Sequence, residues 1–213
     1  MSFDLIFKAF QESIYMILVA SALSVSFGFL LAVVLVYTNP KGLKPNPAVY
    51  KVLDFVINMF RSFPFLILMI MLFPLARLLV GKTIGTTAAI VPLFIGAIPF
   101  AARVIENAFY SVDYGIIEAA KSLGANNRQI ILKVMLPEAM PNIVAGITNT
   151  VISIVGYSAM AGSIGGGGLG DIAIRYGYHR YQMDVLYVTV IILFLLVQLF
   201  QTIGNIIYRR LVR

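Results

Sequence analysis

Residues Asp113–Pro137, DYGIIEAAKSLGANNRQIILKVMLP, decide the reading of this chain. The stretch carries Glu118, Lys121, Arg128 and Lys133, whereas Thr83–Ala102 before it and Ala139–Gly170 after it hold no charged residue. Asp113 suits the N-cap of a first helix, because its carboxylate can accept a free backbone N–H. Ile116, Ala120 and Leu123 then share one face of that helix by their spacing. Gly124 can adopt the left-handed conformation that ends it. Asn126, with Gln129 three residues on, has the form of a capping box opening a second helix. Pro137 stands just before the next apolar run. The pattern predicts a polar helix–turn–helix elbow at a membrane surface, and such an elbow is a contact surface for a partner in the water phase.

The rest of the chain supplies the membrane. Of its 213 residues, 60% are hydrophobic and 12% charged. Soluble domains average about 25% charged residues, so this chain is too poor in charge to cover a water-facing surface. It contains no cysteine, and His179 is its only histidine, which excludes thiolate and multi-histidine metal sites. The net charge of +7 reflects basic loops of a membrane protein rather than nucleic-acid binding. Ala20-Ser21-Ala22 resembles a signal cleavage site, but the apolar run continues to Tyr37. A signal peptide's apolar region spans about 7–15 residues, so the first segment is a retained span.

Five spans are expected. Span one is the uncharged run Ser13–Pro40. Span two runs from about Val52 to Val80, with Asp54, Arg61, Pro64 and Pro74 inside it. Span three is Thr83–Ala102 or beyond, followed by Arg103 and Glu106, which can pair at i, i+3 spacing. Span four starts at Ala139 and ends near Gly162; span five is Val185–Tyr208. Arg61, Arg103 and Glu106 are the intramembrane charges, and Arg61 either faces the bundle or a partner, or reaches the headgroups. The order of spans puts Lys41, Lys44, Lys51, Lys121, Arg128, Lys133, Arg209, Arg210 and Arg213 on one side, against Lys8, Arg77, Lys82, Arg175 and Arg180 on the other. The richer side is cytoplasmic. The N-terminus is therefore expected outside, with the C-terminus and the elbow in the cytoplasm.

Glu118-Ala119-Ala120-x-x-x-Gly124, followed by Val134-x-Leu136-Pro137, resembles the EAA loop of permease subunits in ATP-binding-cassette importers. That family commonly has Ile where Val134 stands. Arg61-Ser-Phe-Pro64, Pro99-Phe-x-x-Arg103-x-x-Glu106-Asn107, Val155-Gly-Tyr157-Ser158-Ala-Met160 and Gly166-Gly167-Gly168-Leu169-Gly170-Asp171 are similar to the methionine importers within it. The likeness runs from about Arg61 to Tyr181. It implies an all-α integral membrane fold, the type I importer permease, with five transmembrane helices and a cytoplasmic coupling helix pair at about 113–137. The chain would be a single permease domain over 1–213.

The resemblance also implies roles. Glu118 would make the charged contact with an ATPase subunit, Ala119 and Ala120 the close packing and Gly124 the turn, with Leu136 and Pro137 completing the motif. Met160, with Tyr157 and Ser158, would line the gate, although one Met among nine can simply pack. Gly166, Gly167, Gly168, Leu169 and Gly170 would form an extracytoplasmic turn that helps seat a binding protein. The implied assembly is a homodimer in the bacterial inner membrane with two ATPase subunits and an external substrate-binding lipoprotein. ATP and Mg would sit on the ATPases, since this chain has no Walker A glycine-lysine motif and needs no cofactor of its own; no nucleic-acid partner is implied. Importers of glycine betaine or phosphonate are the nearest alternatives, and an ATP-independent channel or transporter is a further one.

Two motifs lead elsewhere. Gly165-x-Gly167-x-x-Gly170 satisfies a dinucleotide fingerprint, but it follows a membrane span rather than a strand. Gly156-Tyr-Ser158-Ala-Met160 is one glycine short of a hydrolase's nucleophile elbow, in which Ser158 could pair with His179, but small polar residues in spans more often serve helix packing.

Overall fold

The computed structural model describes residues 3–212; Met1, Ser2 and Arg213, the last of which enters the charge asymmetry above, lie outside them. The described residues are all-α. The helices are α1 (Phe3–Thr38), α2 (Pro47–Ser62), α3 (Phe65–Met71), α4 (Phe73–Val80), α5 (Thr86–Tyr110), α6 (Tyr114–Ser122), α7 (Asn127–Gln129), α8 (Leu136–Ala161), α9 (Gly168–Ile172) and α10 (Met183–Leu211). Wider π-helical turns occupy Ile130–Met135 and Ala173–Tyr178, and the chain kinks within Gly162–Gly166, where Ile164 and Gly165 leave helical backbone angles.

Four helices are long and apolar enough to cross a membrane, and the bent pair α2–α3 makes up to five. Span two, expected over about Val52–Val80, is a broken one. Its chain turns by 106° between α2 and α3. The cause is local: Phe63, ahead of Pro64, is extended at φ −77° and ψ 135°. The proline ring excludes the helical conformation from the residue before it.

Pro137 stands where the second elbow helix joins span four. The second elbow helix does not stop before span four; the helical run continues from Asn127 through Ala161 and kinks only at Ile164 and Gly165. At Ile130–Met135 the helix widens, and the Leu136 N–H reaches back to the Ile131 carbonyl. A proline lacks an N–H and clashes with the carbonyl four residues before it. The widened turn just ahead of Pro137 relieves that conflict without ending the helix.

α1 is about 54 Å long at 1.5 Å per residue and lies against α5 and α8. Small residues bring α1 and α5 together: a Cβ added at Gly28 would stand 2.6 Å from the Ala101 Cβ. Close backbone approach of this kind drives helix association in lipid, where the hydrophobic effect gives no preference. The buried core runs the length of the bundle. Ile105, Phe109, Ile130 and Met135 fill the elbow end. Met16, Ile17, Leu93 and Ile154 fill the middle. Leu169, Ile172, Val185 and Leu196 fill the far end. α10 turns Tyr187, Ile191, Phe194 and Leu199 outward, as a helix does when its surroundings are apolar.

Candidate functional site

The elbow is built from local signals that all operate. Asp113 accepts the Gly115 N–H at 2.6 Å and opens α6. Gly124 has φ +80°. Its N–H donates to the Lys121 carbonyl at 2.9 Å, and the Ala125 N–H donates to the Ala120 carbonyl at 3.1 Å. Together they form a Schellman closure, which requires a left-handed residue at that position. The spacing from Ala120 to Gly124 in the EAA motif is the spacing of this closure. Asn126 and Gln129 then form the reciprocal capping box, at 2.9 and 2.8 Å.

α6 has two faces. Ile117 is buried and pins the elbow to α1, α5 and the widened turn. Ile116, Ala119 and Leu123 look outward with Glu118, and Leu123 is 88% exposed. The face read from the spacing of Ile116, Ala120 and Leu123 is thus an outer one, with Ala120 half-buried at its margin. Leu136 is half-buried and Pro137 exposed where the elbow merges into α8.

The predicted gate and glycine turn lie at the opposite end of α8. Met160 is 48% exposed, whereas Ser158 is buried and donates to the Val155 carbonyl at 2.8 Å. Tyr157 stacks on Phe65 of α3, with ring centroids 4.1 Å apart. Just beyond, Gly162 lies against the Gly170–Asp171 backbone, and Gly170 lies against Ala159. Neither position has room for a side chain, so the chain folds back on itself there. His179 is exposed and packs edge-on against Tyr178, and Ser158 and His179 share no hydrogen bond among the described residues. The hydrolase pairing is therefore not assembled.

Two features escaped the sequence reading. First, α1 caps this turn: Glu12 accepts the Gly168 N–H at 2.9 Å and Ser13 accepts the Leu169 N–H at 2.8 Å. Capping across 156 residues leaves no local signal. A Ser13→Ala chain is expected to lose about 1 kcal/mol, as for an N-cap removal, and its Tm should fall by about 2–4 °C. Thermal unfolding in detergent measures this.

Second, a buried polar network links α2 to α5. Glu106 is fully buried. Its carboxylate accepts from Arg103 at 2.8 Å, from Tyr110 at 2.9 Å and from Tyr50 at 3.4 Å. Arg103 also donates to Asp54 at 2.5 Å and to Asn58 at 3.1 Å. Asn39, at the end of α1, donates to the Tyr110 hydroxyl at 2.7 Å. The expected Arg103–Glu106 pair is present, and Asp54 is its missed partner. Arg61 is exposed in the last turn of α2, beside the bend, and makes no ion pair among the described residues.

Comparison with known proteins fits this architecture. The family model described as "Binding-protein-dependent transport system inner membrane component" matches residues 24–213. The probable D-methionine transport system permease protein MetI of Vibrio cholerae is 51% identical over 207 residues, 97% of this chain and 92% of its own. The methionine import system permease protein MetP of Bacillus subtilis is 46% identical over 174 residues, 81% of this chain and 78% of its own. A chain of the MetNI methionine ABC transporter, solved in inward-facing conformations, superposes with a TM-score of 0.97 at 41% identity and full coverage of both chains.

Proposed function

Because this chain belongs to the family of inner membrane components of binding-protein-dependent transport systems, we propose that it is the permease of an ATP-driven importer that carries methionine into the cytoplasm. It is a transport subunit, not an enzyme, and ATP hydrolysis belongs to a partner subunit. Methionine as cargo is supported by the relatives' names and by identity that runs through nearly the whole chain. The mechanism is carried by one observation above all. The outer face of α6 presents Ile116, Ala119 and Leu123 beside Glu118, on a helix clamped at both ends.

The permease works as a homodimer around a central path, with two ATPases on the elbow side and a substrate-binding lipoprotein on the side of the glycine turn. The excess of basic residues on the elbow side supports an N-terminus outside and a C-terminus and elbow in the cytoplasm. Nucleotide binding draws the ATPases together, and each elbow moves with the subunit that grips Ile116, Glu118, Ala119 and Leu123. Ile117 and the widened turn pass that motion to α5 and α8. The far end of α8, where Met160 is exposed, then opens or closes the path. Glu118 makes the charged contact, Ala119 and Ala120 let the surfaces approach, and Gly124 holds the turn.

Uptake of labelled methionine tests this reading. A strain lacking its own methionine importers should gain uptake from the chain with its ATPase and binding protein. Glu118→Lys should cut that uptake by roughly tenfold or more, as truncation or reversal of an interfacial charge does, with membrane insertion unchanged. Undiminished uptake by the Glu118→Lys chain would remove Glu118 from the coupling contact.

A further inference from the structure

A cleft of about 670 Å³ opens on the inner side of the elbow, between the end of α1, the end of α5 and α6. Its floor is apolar, with Val36, Phe109 and Met135, and its polar rim holds Asn39, Lys41, Tyr110 and Lys121. Among the described residues, no acidic one lines it. Neither Lys41 nor Lys121 has a carboxylate partner among the described residues; the Lys121 ammonium lies 6.0 Å from the Tyr114 ring. Two ammonium groups over an apolar floor attract an anion that carries its own apolar body. The place in the fold narrows the choice. Asn39-Pro40 ends the apolar run of α1 and Tyr110 ends α5, so the cleft lies where a bilayer's headgroups meet its hydrocarbon.

We propose that this cleft holds the phosphate headgroup of an anionic phospholipid, bound between Lys41 and Lys121. The lipid would bridge three elements: Lys41 in the α1–α2 linker, Lys121 on the elbow, and Tyr110, whose hydroxyl already serves Asn39 and buried Glu106. Tyr114, Ile117 and Lys121 recur every three to four residues along α6, so they share one face. Ile116, Ala119 and Leu123 occupy another, so lipid and ATPase can be bound together. The cytoplasmic sidedness proposed above decides only which leaflet supplies the lipid.

Native mass spectrometry of the intact permease–ATPase complex, extracted from mixed phosphatidylglycerol and phosphatidylcholine nanodiscs, tests this without reference to sidedness. The unaltered complex should retain phosphatidylglycerol over phosphatidylcholine. Lys41→Gln with Lys121→Gln should weaken that retention by about 25-fold, from about fivefold for each lysine removed at the surface. Lys41→Arg with Lys121→Arg, which keeps both charges, should restore it, so a folding defect cannot imitate the loss. Equal retention of the two lipids, or full retention by the Gln pair, would overturn the proposal. Displacement of the lipid by inorganic phosphate alone would assign the cleft to a free phosphate and overturn the lipid as its occupant. A Lys41→Cys chain that labels from outside intact cells would overturn the topology while leaving the binding result standing.

Discussion

Gly124→Pro is expected to abolish methionine uptake, by well over tenfold, while the protein still inserts into the membrane. The wild-type residue sits at φ +80°, and proline is fixed near −65°. The substitution also removes the N–H that donates to the Lys121 carbonyl at 2.9 Å. A left-handed residue other than glycine costs about 1–2 kcal/mol, and the lost hydrogen bond adds about 1 kcal/mol. Proline cannot accept that strain and remain in place. The turn must reopen, and the Ile116–Ala119–Leu123 face then leaves its orientation relative to α8. Gly124→Ala separates the two effects. A Cβ at this position meets nothing within 4 Å, and the N–H is kept. Alanine should therefore show only the left-handed strain and fall between glycine and proline in uptake. Equal uptake by all three would show that the turn does not set the position of the elbow.

Glu106→Ala is expected to be the most destabilising single change in the bundle. Glu106 is fully buried and holds Arg103, Tyr110 and Tyr50. Its loss leaves two hydroxyls and one guanidinium N–H without their acceptor. Removing one partner of a buried pair costs about 3–5 kcal/mol. At about 2–4 °C per kcal/mol for a chain of this size, the Tm should fall by on the order of 10 °C. Glu106→Gln keeps the shape and an acceptor for the tyrosines, and should fall less. Arg103 keeps Asp54 in both variants, so α2 stays tethered to α5 and the protein should remain isolable. A thermal shift of Glu106→Ala no larger than that of Ser13→Ala would mean that the network adds little to stability.

The elbow is legible in the sequence because its signals are local. Asp113, Gly124, Asn126 and Gln129 each act within three or four residues, and each does so in the structure. The face of α6 that meets the bundle is less legible. Ile116 and Ile117 are equally apolar, and only the position of α1 and α5 decides that Ile117 is buried. Pro137 reads as a boundary in isolation, but a widened turn absorbs it and the helix runs on. The α2–α3 bend has a visible cause in Pro64, though its 106° angle depends on packing. The Arg103–Glu106 pair follows from spacing along one helix. Asp54, Tyr50 and Asn39 join it from other segments, and nothing in their local sequence points there. The same holds for Glu12 and Ser13, which cap a turn at the other end of the chain.

If an ATPase grips the outer face of the elbow, the most exposed side chains there become covered in the assembled complex. Leu123 tests this most directly, being the most exposed apolar side chain there, at 88%. The chain contains no cysteine, so Leu123→Cys introduces a unique thiol. With single cysteines placed across the face of the ATPase that meets the permease, oxidative cross-linking in the assembled complex should join residue 123 to the ATPase, and added nucleotide should change the yield. A thiol at residue 123 that stays open to a membrane-impermeant maleimide in the intact complex, and cross-links to no ATPase position with or without nucleotide, would contradict the account.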